Sequence, residues 1–271
     1  MPRFCANLGF LFTEVEFLER FELAARAGFR GVEYMSPFEY DPGELRRLLD
    51  AHGLEQVLFN LPAGDWAGGD RGLAAVPGRE AEFREGVARA IDCAKTLGCT
   101  RVNALAGIPP AGTSDELARE TMLANLRHAA PRLAAAGVAL LIEPINSRVD
   151  IPGFWLDTPR KALALIDAAG VDNLALQYDI YHAQIMEGDL ARTIEANIGR
   201  IGHFQVADNP GRHEPGTGEI NYDYLFRLID RLGYPGWVGC EYNPLNPLTT
   251  PKPQAGATAG LDWMKRMALA G

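Results

Sequence analysis

The chain has 271 residues, 47% of them hydrophobic, and 26 Lys and Arg against 35 Asp and Glu give a formal charge of -9. That length and apolar content suit one α/β domain running from 1 to 271 with a sizeable core, and the acidic balance excludes a basic footprint for nucleic acid or an anionic membrane. No apolar run approaches the roughly 18 residues of a spanning helix, and the start MPRFCANLGF is too short and polar for a signal peptide, so a cytoplasmic protein is expected.

Short β-type runs alternate with helical patterns along the whole chain. A strand over 4–9 leads to a helix over 14–27, where Phe17, Phe21, Leu23 and Ala24 face inward and Gly28 ends it. Strand 31–35 precedes helix 42–52, strand 56–61 precedes helix 79–97, and strand 101–106 precedes helix 114–136. The second half repeats the unit: strand 139–145 and helix 158–169, strand 174–179 and helix 190–197, strand 201–207 and helix 222–232, strand 237–242 and helix 257–268. Glycines at 28, 53, 98, 137, 170 and 233 stand where a left-handed helix stop is cheapest. Ser114 and Thr158-Pro159 mark helix starts. Eight strand–helix pairs with right-handed crossovers close most simply into a (β/α)₈ TIM barrel. A doubly wound open sheet is the alternative, but no G-x-G-x-x-G follows the first strand, which speaks against a dinucleotide site.

Two long loops rich in Gly and Pro follow strands: 62–78, containing AGDWAGGDRG, and 208–219, containing NPGRHEPGTG. Both are expected on the functional face as lids or binding loops. The run 243–255, with Pro244, Pro247, Pro251 and Pro253, reads as a stiff connector or as a contact in a homo-oligomer. Cys5, Cys93, Cys99 and Cys240 form no C-x-x-C pair and read as buried apolar residues or spare thiols.

The chemistry concentrates in four polar residues that close apolar runs: Glu143 in LLIEPIN, Asp179 in LALQYDIYH, Gln205 in IGHFQVADN and Glu241 in WVGCEYNP. Their spacings of 36, 26 and 36 residues are each about one strand plus one helix, so all four fall at strand ends around a barrel mouth, where barrel active sites sit. Period-two alternation turns them inward if Ile142, Tyr178, Phe204 and Cys240 point to the helices. Three carboxylates and an amide oxygen call for a divalent cation, Mg²⁺ or Mn²⁺. Glu143 and Glu241 would face each other across it, an arrangement for moving a proton between adjacent carbons. Metal-assisted hydrolysis is the alternative, but leaves the second glutamate without a task.

Among the histidines, His203 should point inward one layer below Gln205, in a role behind the ligands or in the polar core. His182, in the loop after the sixth strand, either touches a substrate oxygen or is solvated. His213 is ambiguous, and His52 and His128 lie on helices away from the mouth. Arg212 either pairs bidentately with a substrate carboxylate or is a surface arginine in a polar loop. Glycines 211, 216 and 218 would let its loop close.

The strings ANLGFLFTEVEFLERF, VLFNLPAGDWAGGDRG, LLIEPINSRVDIPGF, LQYDIYHAQIMEGD and QVADNPGRHEPGTGEINY together resemble the hydroxypyruvate isomerase family of xylose-isomerase-like barrels. The resemblance runs from near Phe4 to the last helix. It implies that Glu143, Asp179, Gln205 and Glu241 are metal ligands, that Glu143 and Glu241 are also the proton-transfer pair, and that His182 and Arg212 contact substrate. Related keto-sugar epimerases look to carry His where this chain has Gln205, which favours the hydroxypyruvate branch. The resemblance thus implies isomerisation of hydroxypyruvate, a small 2-oxo acid, to tartronate semialdehyde through an enediolate. Isomerisation of a four-carbon 2-oxo-tetronate and 3-epimerisation of a keto-sugar are the enzyme alternatives. A metal-dependent nuclease and a catalytically silent binding barrel are the others. Five histidines and a charge of -9 argue against the nuclease.

Overall fold

A computed structural model describes residues 2–246 and 260–269. Eight parallel strands close into a barrel in chain order: β1 Arg3–Asn7, β2 Gly31–Glu33, β3 Glu55–Asn60, β4 Arg101–Asn103, β5 Ala139–Ile142, β6 Leu174–Asp179, β7 Ile201–Val206 and β8 Trp237–Cys240, with β8 paired to β1. The helices are α1 Arg20–Arg26, α2 Pro42–His52, α3 Glu80–Leu97, α4 Asp115–Ala135, α5 Pro159–Ala169, α6 Ile180–Met186, α7 Leu190–Asn197, α8 Tyr222–Arg231 and α9 Asp262–Leu269. Among the described residues none is long and apolar enough to cross a membrane.

Local chemistry explains most boundaries. All six glycines read as helix stops have positive φ, from 62° at Gly53 to 97° at Gly28, a region closed to most side chains. Ser114 accepts from Leu117 N at 3.2 Å and Thr158 from Lys161 N at 3.3 Å, as N-caps should. The first helix is shorter than expected. Residues Phe17–Glu19 form a 3₁₀ turn and the α-helix begins only at Arg20, and neither segment has a side-chain cap. Phe21 and Ala24 are fully buried, Phe17 and Leu23 partly. The Pro-rich run from 247 to 259, and with it the expected helix start at 257, lies outside the described residues.

The barrel interior changes character from bottom to top. Cys5, Val57, Leu141 and Trp237 form an apolar floor, capped below by Arg3 stacked 3.9 Å from the Trp237 ring. Tyr178 and Phe204 are fully buried and meet edge to face at 5.9 Å. Above the floor each strand carries a polar side chain at its last residue or within one residue of it, and these build the mouth. The loop 62–78 is less of a lid than its composition suggests. Leu73, Ala74, Ala75 and Val76 join the buried core, and Asn125 donates to Ala74 O at 3.0 Å. Its tip carries Trp66, 48% exposed. All four cysteines are buried and unbridged, and Cys5 is more than an apolar filler, because its thiol donates to Glu33 at 3.3 Å.

Candidate active site

The four expected strand-end residues converge. Asp179 closes β6 and stands in register with Gln205, one residue from the end of β7. Glu143 and Glu241 each lie one residue beyond β5 and β8. All four are at least 96% buried. Glu143, Gln205 and Glu241 line one narrow cavity with Asn7, Glu33, Asn60 and Gln177.

The first half of the barrel contributes as much as the second. Asn7 donates to Glu33 at 3.1 Å and to Glu241 at 2.8 Å. Asn103 donates to Glu143 at 2.9 Å and to Asn60 at 3.1 Å. Glu33, the last residue of β2, is a hub that sequence reasoning missed. His203 Nε2 donates to it at 2.6 Å and Gln205 Nε2 at 2.9 Å, besides Asn7 and Cys5. Burial pushes the Glu33 carboxyl up, but pairing with His203 and the hydrogen bonds from His203, Gln205 and Cys5 outweigh it and hold the pKa below its ordinary value. Gly239 on β8 makes room for this carboxylate: a Cβ there would sit 2.3 Å from Glu33 Oε1. The strand expected over 31–35 hid Glu33 in its middle, whereas β2 ends at this residue.

His203 therefore lies inside the barrel, fully buried, as a partner of Glu33. Gln205 bridges Glu33 and Glu241 through its nitrogen, and its oxygen accepts from Gln177 at 2.6 Å. Ligation through that oxygen would require the amide to turn over.

His182 lies in α6, not in a loop. Asp179 caps this helix, accepting from Tyr181 N at 2.8 Å and from His182 N at 3.4 Å through Oδ1. The helix escaped notice because LQYDIYHAQIM runs from strand to helix with no Gly or Pro between them. The ring is 2% exposed, with Nε2 3.6 Å from Asp179 Oδ2, and burial holds its pKa well below the ordinary value, so it stays neutral.

Arg212 adopts φ 56° in the loop after β7 and closes the mouth from above. Its Nη1 donates to Asp150 at 3.0 Å and its Nη2 to Glu241 at 2.6 Å, while Nε is buried without a partner. The fork thus already grips two protein carboxylates. Asp208 fixes the loop by accepting from Asn209, Gly216 and Ile220 N at 2.9, 2.8 and 3.1 Å. His213 turns away and meets Asn243 O at 2.8 Å.

The electrostatics of this cluster ask for a cation. Burial, then Glu241 and Asp179, push Glu143 well above the usual carboxylate range. Burial lifts Glu241 to about 8 against the opposing pull of Arg212, and lifts Asp179 to about 6. Asp179 Oδ2 is buried with no hydrogen-bond partner, so one carboxylate oxygen is left without a donor. Ligand atoms of Glu143, Asp179 and His182 all lie within 4.8 Å of one another, making a candidate metal-ligand group. The oxygen donors fit a hard divalent ion.

Comparison with known proteins agrees with this geometry. The family model for xylose isomerase-like TIM barrels matches residues 21–267. The chain is 56% identical over 264 residues to hydroxypyruvate isomerase of Escherichia coli K12, covering 97% of this chain and 98% of that protein. It is 49% identical over 265 residues to 2-oxo-tetronate isomerase of Cupriavidus necator, covering 98% of both. A crystal structure from Brucella melitensis, described as an AP endonuclease of family 2, superposes with a TM-score of 0.91 at 47% identity, covering 98% of this chain and 99% of that one. An L-ribulose 3-epimerase, with a TM-score of 0.78 at 22% identity over 100% of this chain and 95% of its own, shares the fold. On the family model and these full-length identities, the chain belongs to the xylose isomerase-like TIM barrels and, within them, to the hydroxypyruvate isomerase family of isomerases.

Proposed function

We propose that this protein interconverts hydroxypyruvate and tartronate semialdehyde by proton transfer between adjacent carbons. The observation that carries the reading is the pair Glu143 and Glu241, both buried at one cavity and both raised in pKa. Carboxyl groups poised in this way can take and give a proton near neutral pH. One takes a proton from C3 of hydroxypyruvate, the electrons pass into an enediolate, and a carboxylic acid returns a proton to C2. The hydroxyl proton on O3 is exchanged for one on O2, so atoms and charge balance. Glu143, Asp179, Gln205 and Glu241 would hold a Mg²⁺ or Mn²⁺ ion. When bound, that ion would supply charge neutralisation and polarise the substrate carbonyl. His182 and Arg212 would contact substrate oxygens, Arg212 through the unpartnered Nε edge. His203 would act behind the ligands, through Glu33. A cytoplasmic location is part of this reading, supported by the four unbridged thiols.

A four-carbon 2-oxo-tetronate is the second reading. It is favoured by the Cupriavidus relative and by an opening of about 330 Å³ beside the mouth, bordered by Met35, Asn60, Leu61 and Trp66. The name of the Brucella protein raises DNA cleavage, but the net charge of -9 and an arginine already bonded to two carboxylates do not favour a phosphate backbone. Turnover of a panel of three- and four-carbon 2-oxo acids with and without added Mg²⁺ or Mn²⁺ tests the reading. Metal-stimulated turnover of hydroxypyruvate above its four-carbon analogue is expected. Turnover of a ketose alone would overturn it.

A further inference from the structure

The loop between β5 and α5 carries a side-chain chain that the reaction as described does not use. Asn146 is fully buried, and both ends of its amide are fixed. Its Oδ1 accepts from Val149 N at 2.9 Å and from Asp150 N at 3.0 Å. Those backbone groups can only donate, so the oxygen must face them. Its Nδ2 then faces the other way, donating to Asp150 Oδ2 at 2.5 Å and lying 2.8 Å from His182 Nδ1. An amide nitrogen cannot accept. The hydrogen bond to the ring therefore runs from Asn146 to Nδ1, which must be unprotonated, and the ring proton is on Nε2.

Asp150 holds the arrangement from the other side. It also accepts from Tyr181 OH and from Arg212 Nη1, each at 3.0 Å. One carboxylate thus ties the orientation of Asn146 to the arginine that closes the mouth. The three candidate ligand atoms of Glu143, Asp179 and His182 are close enough for a site that includes the imidazole. A nitrogen that carries a proton has no lone pair to offer a metal.

We infer that Asn146 is a positioning residue that fixes His182 as its Nε2–H tautomer, so that the ring turns a hydrogen-bond donor towards Asp179 Oδ2, 3.6 Å away, and is not a metal ligand. The catalytic meaning rests on the proposed isomerisation: at 3.6 Å from Asp179 Oδ2 the Nε2–H makes no hydrogen bond there and would be open to a substrate oxygen that gains charge as the enediolate forms, with the proton remaining on the ring.

The test is nitrogen NMR of the full-length protein carrying ¹⁵N-labelled histidine rings, with Mg²⁺ and without substrate. The His182 signals are identified by their loss in His182→Gln. The expected spectrum has an unprotonated Nδ1 and a protonated Nε2. In Asn146→Asp the new carboxylate can only accept, so the proton should move to Nδ1, and kcat should fall about 100- to 1,000-fold, the scale for one donor at a developing oxyanion, with a smaller change in KM. If that variant fails to fold, Asn146→Ala should give a mixed tautomer. A wild-type ring protonated on Nδ1, or a pure Nε2–H ring in either folded variant, would overturn the inference. Because the spectrum needs no turnover, the expected tautomer in a protein that isomerises no 2-oxo acid would reject the proposed reaction and leave the tautomer standing.

Discussion

Arg212 Nη2 lies 2.6 Å from Glu241 Oε1, joining the loop after β7 to the carboxylate that follows β8. The same guanidinium reaches Asp150 across the mouth. A substrate carboxylate would therefore meet an arginine whose fork is already engaged. Arg212 lowers the cost of burying Glu241 as much as it offers charge to a ligand.

Replacing Arg212 with Met removes both services. The efficiency towards hydroxypyruvate should fall by about 10- to 150-fold, the range for losing a hydrogen bond to a charged group. Turnover of an uncharged ketose separates the roles. A smaller loss there means that Arg212 reads the substrate carboxylate, and an equal loss means that it serves Glu241 alone.

Glu143→Gln and Glu241→Gln keep an oxygen donor and remove the base. Each should lower kcat by about 100- to 10,000-fold while calorimetry still detects Mn²⁺ binding. Near-native turnover in either variant would reduce that residue to a ligand.

Stability should depend on pH and metal together. The folded, metal-free protein keeps a proton on Glu241 up to about 8 and on Asp179 up to about 6, whereas their ordinary values are 4.5 and 3.8. The folded state thus binds more protons than the unfolded state across that window, so stability falls as pH rises from about 4 to about 8. A bound divalent cation would replace those protons. In thermal melts with chelator, Tm should drop between pH 5 and pH 8. Mn²⁺ or Mg²⁺ at about 100 times Kd should restore about 2.7 kcal/mol, and an Asp179→Ala variant should gain none.

Gly239→Ala tests the layer beneath the site. The added methyl would meet Glu33 Oε1 at 2.3 Å, and crowding of this kind costs about 1–3 kcal/mol. Denaturant unfolding should show that loss, with activity reduced because Glu33 holds Asn7 and Gln205. An unchanged midpoint would mean that the Glu33 layer is loosely packed.

Much of this was legible in the chain. The eight strand–helix units, the glycine stops and the convergence of Glu143, Asp179, Gln205 and Glu241 all follow from local pattern and spacing, because strand ends and helix caps are short-range events. Glu33 was less legible, because the strand expected over 31–35 puts it in the middle of the run, whereas β2 ends at Glu33. The role of Asp150 was not legible. Its partner Arg212 lies 62 residues away, and no periodicity links two loops that meet only when the barrel closes. The tautomer of His182 was hidden for the same reason, since Asn146 is 36 residues from it. The helix that carries His182 was missed because its cap, Asp179, is also a strand end.

The central claim is that a proton leaves one carbon and another is delivered to its neighbour by buried carboxyl groups open to exchange. Running the reaction on hydroxypyruvate in D₂O with Mg²⁺ or Mn²⁺, and examining the tartronate semialdehyde by mass spectrometry and NMR, tests it most directly. The account predicts deuterium at C2 of the product, with product and label both lost in Glu143→Gln and Glu241→Gln. Product formed at full rate with no deuterium at C2 would mean that the migrating hydrogen never exchanges with solvent, as in a direct hydride shift, and would contradict it.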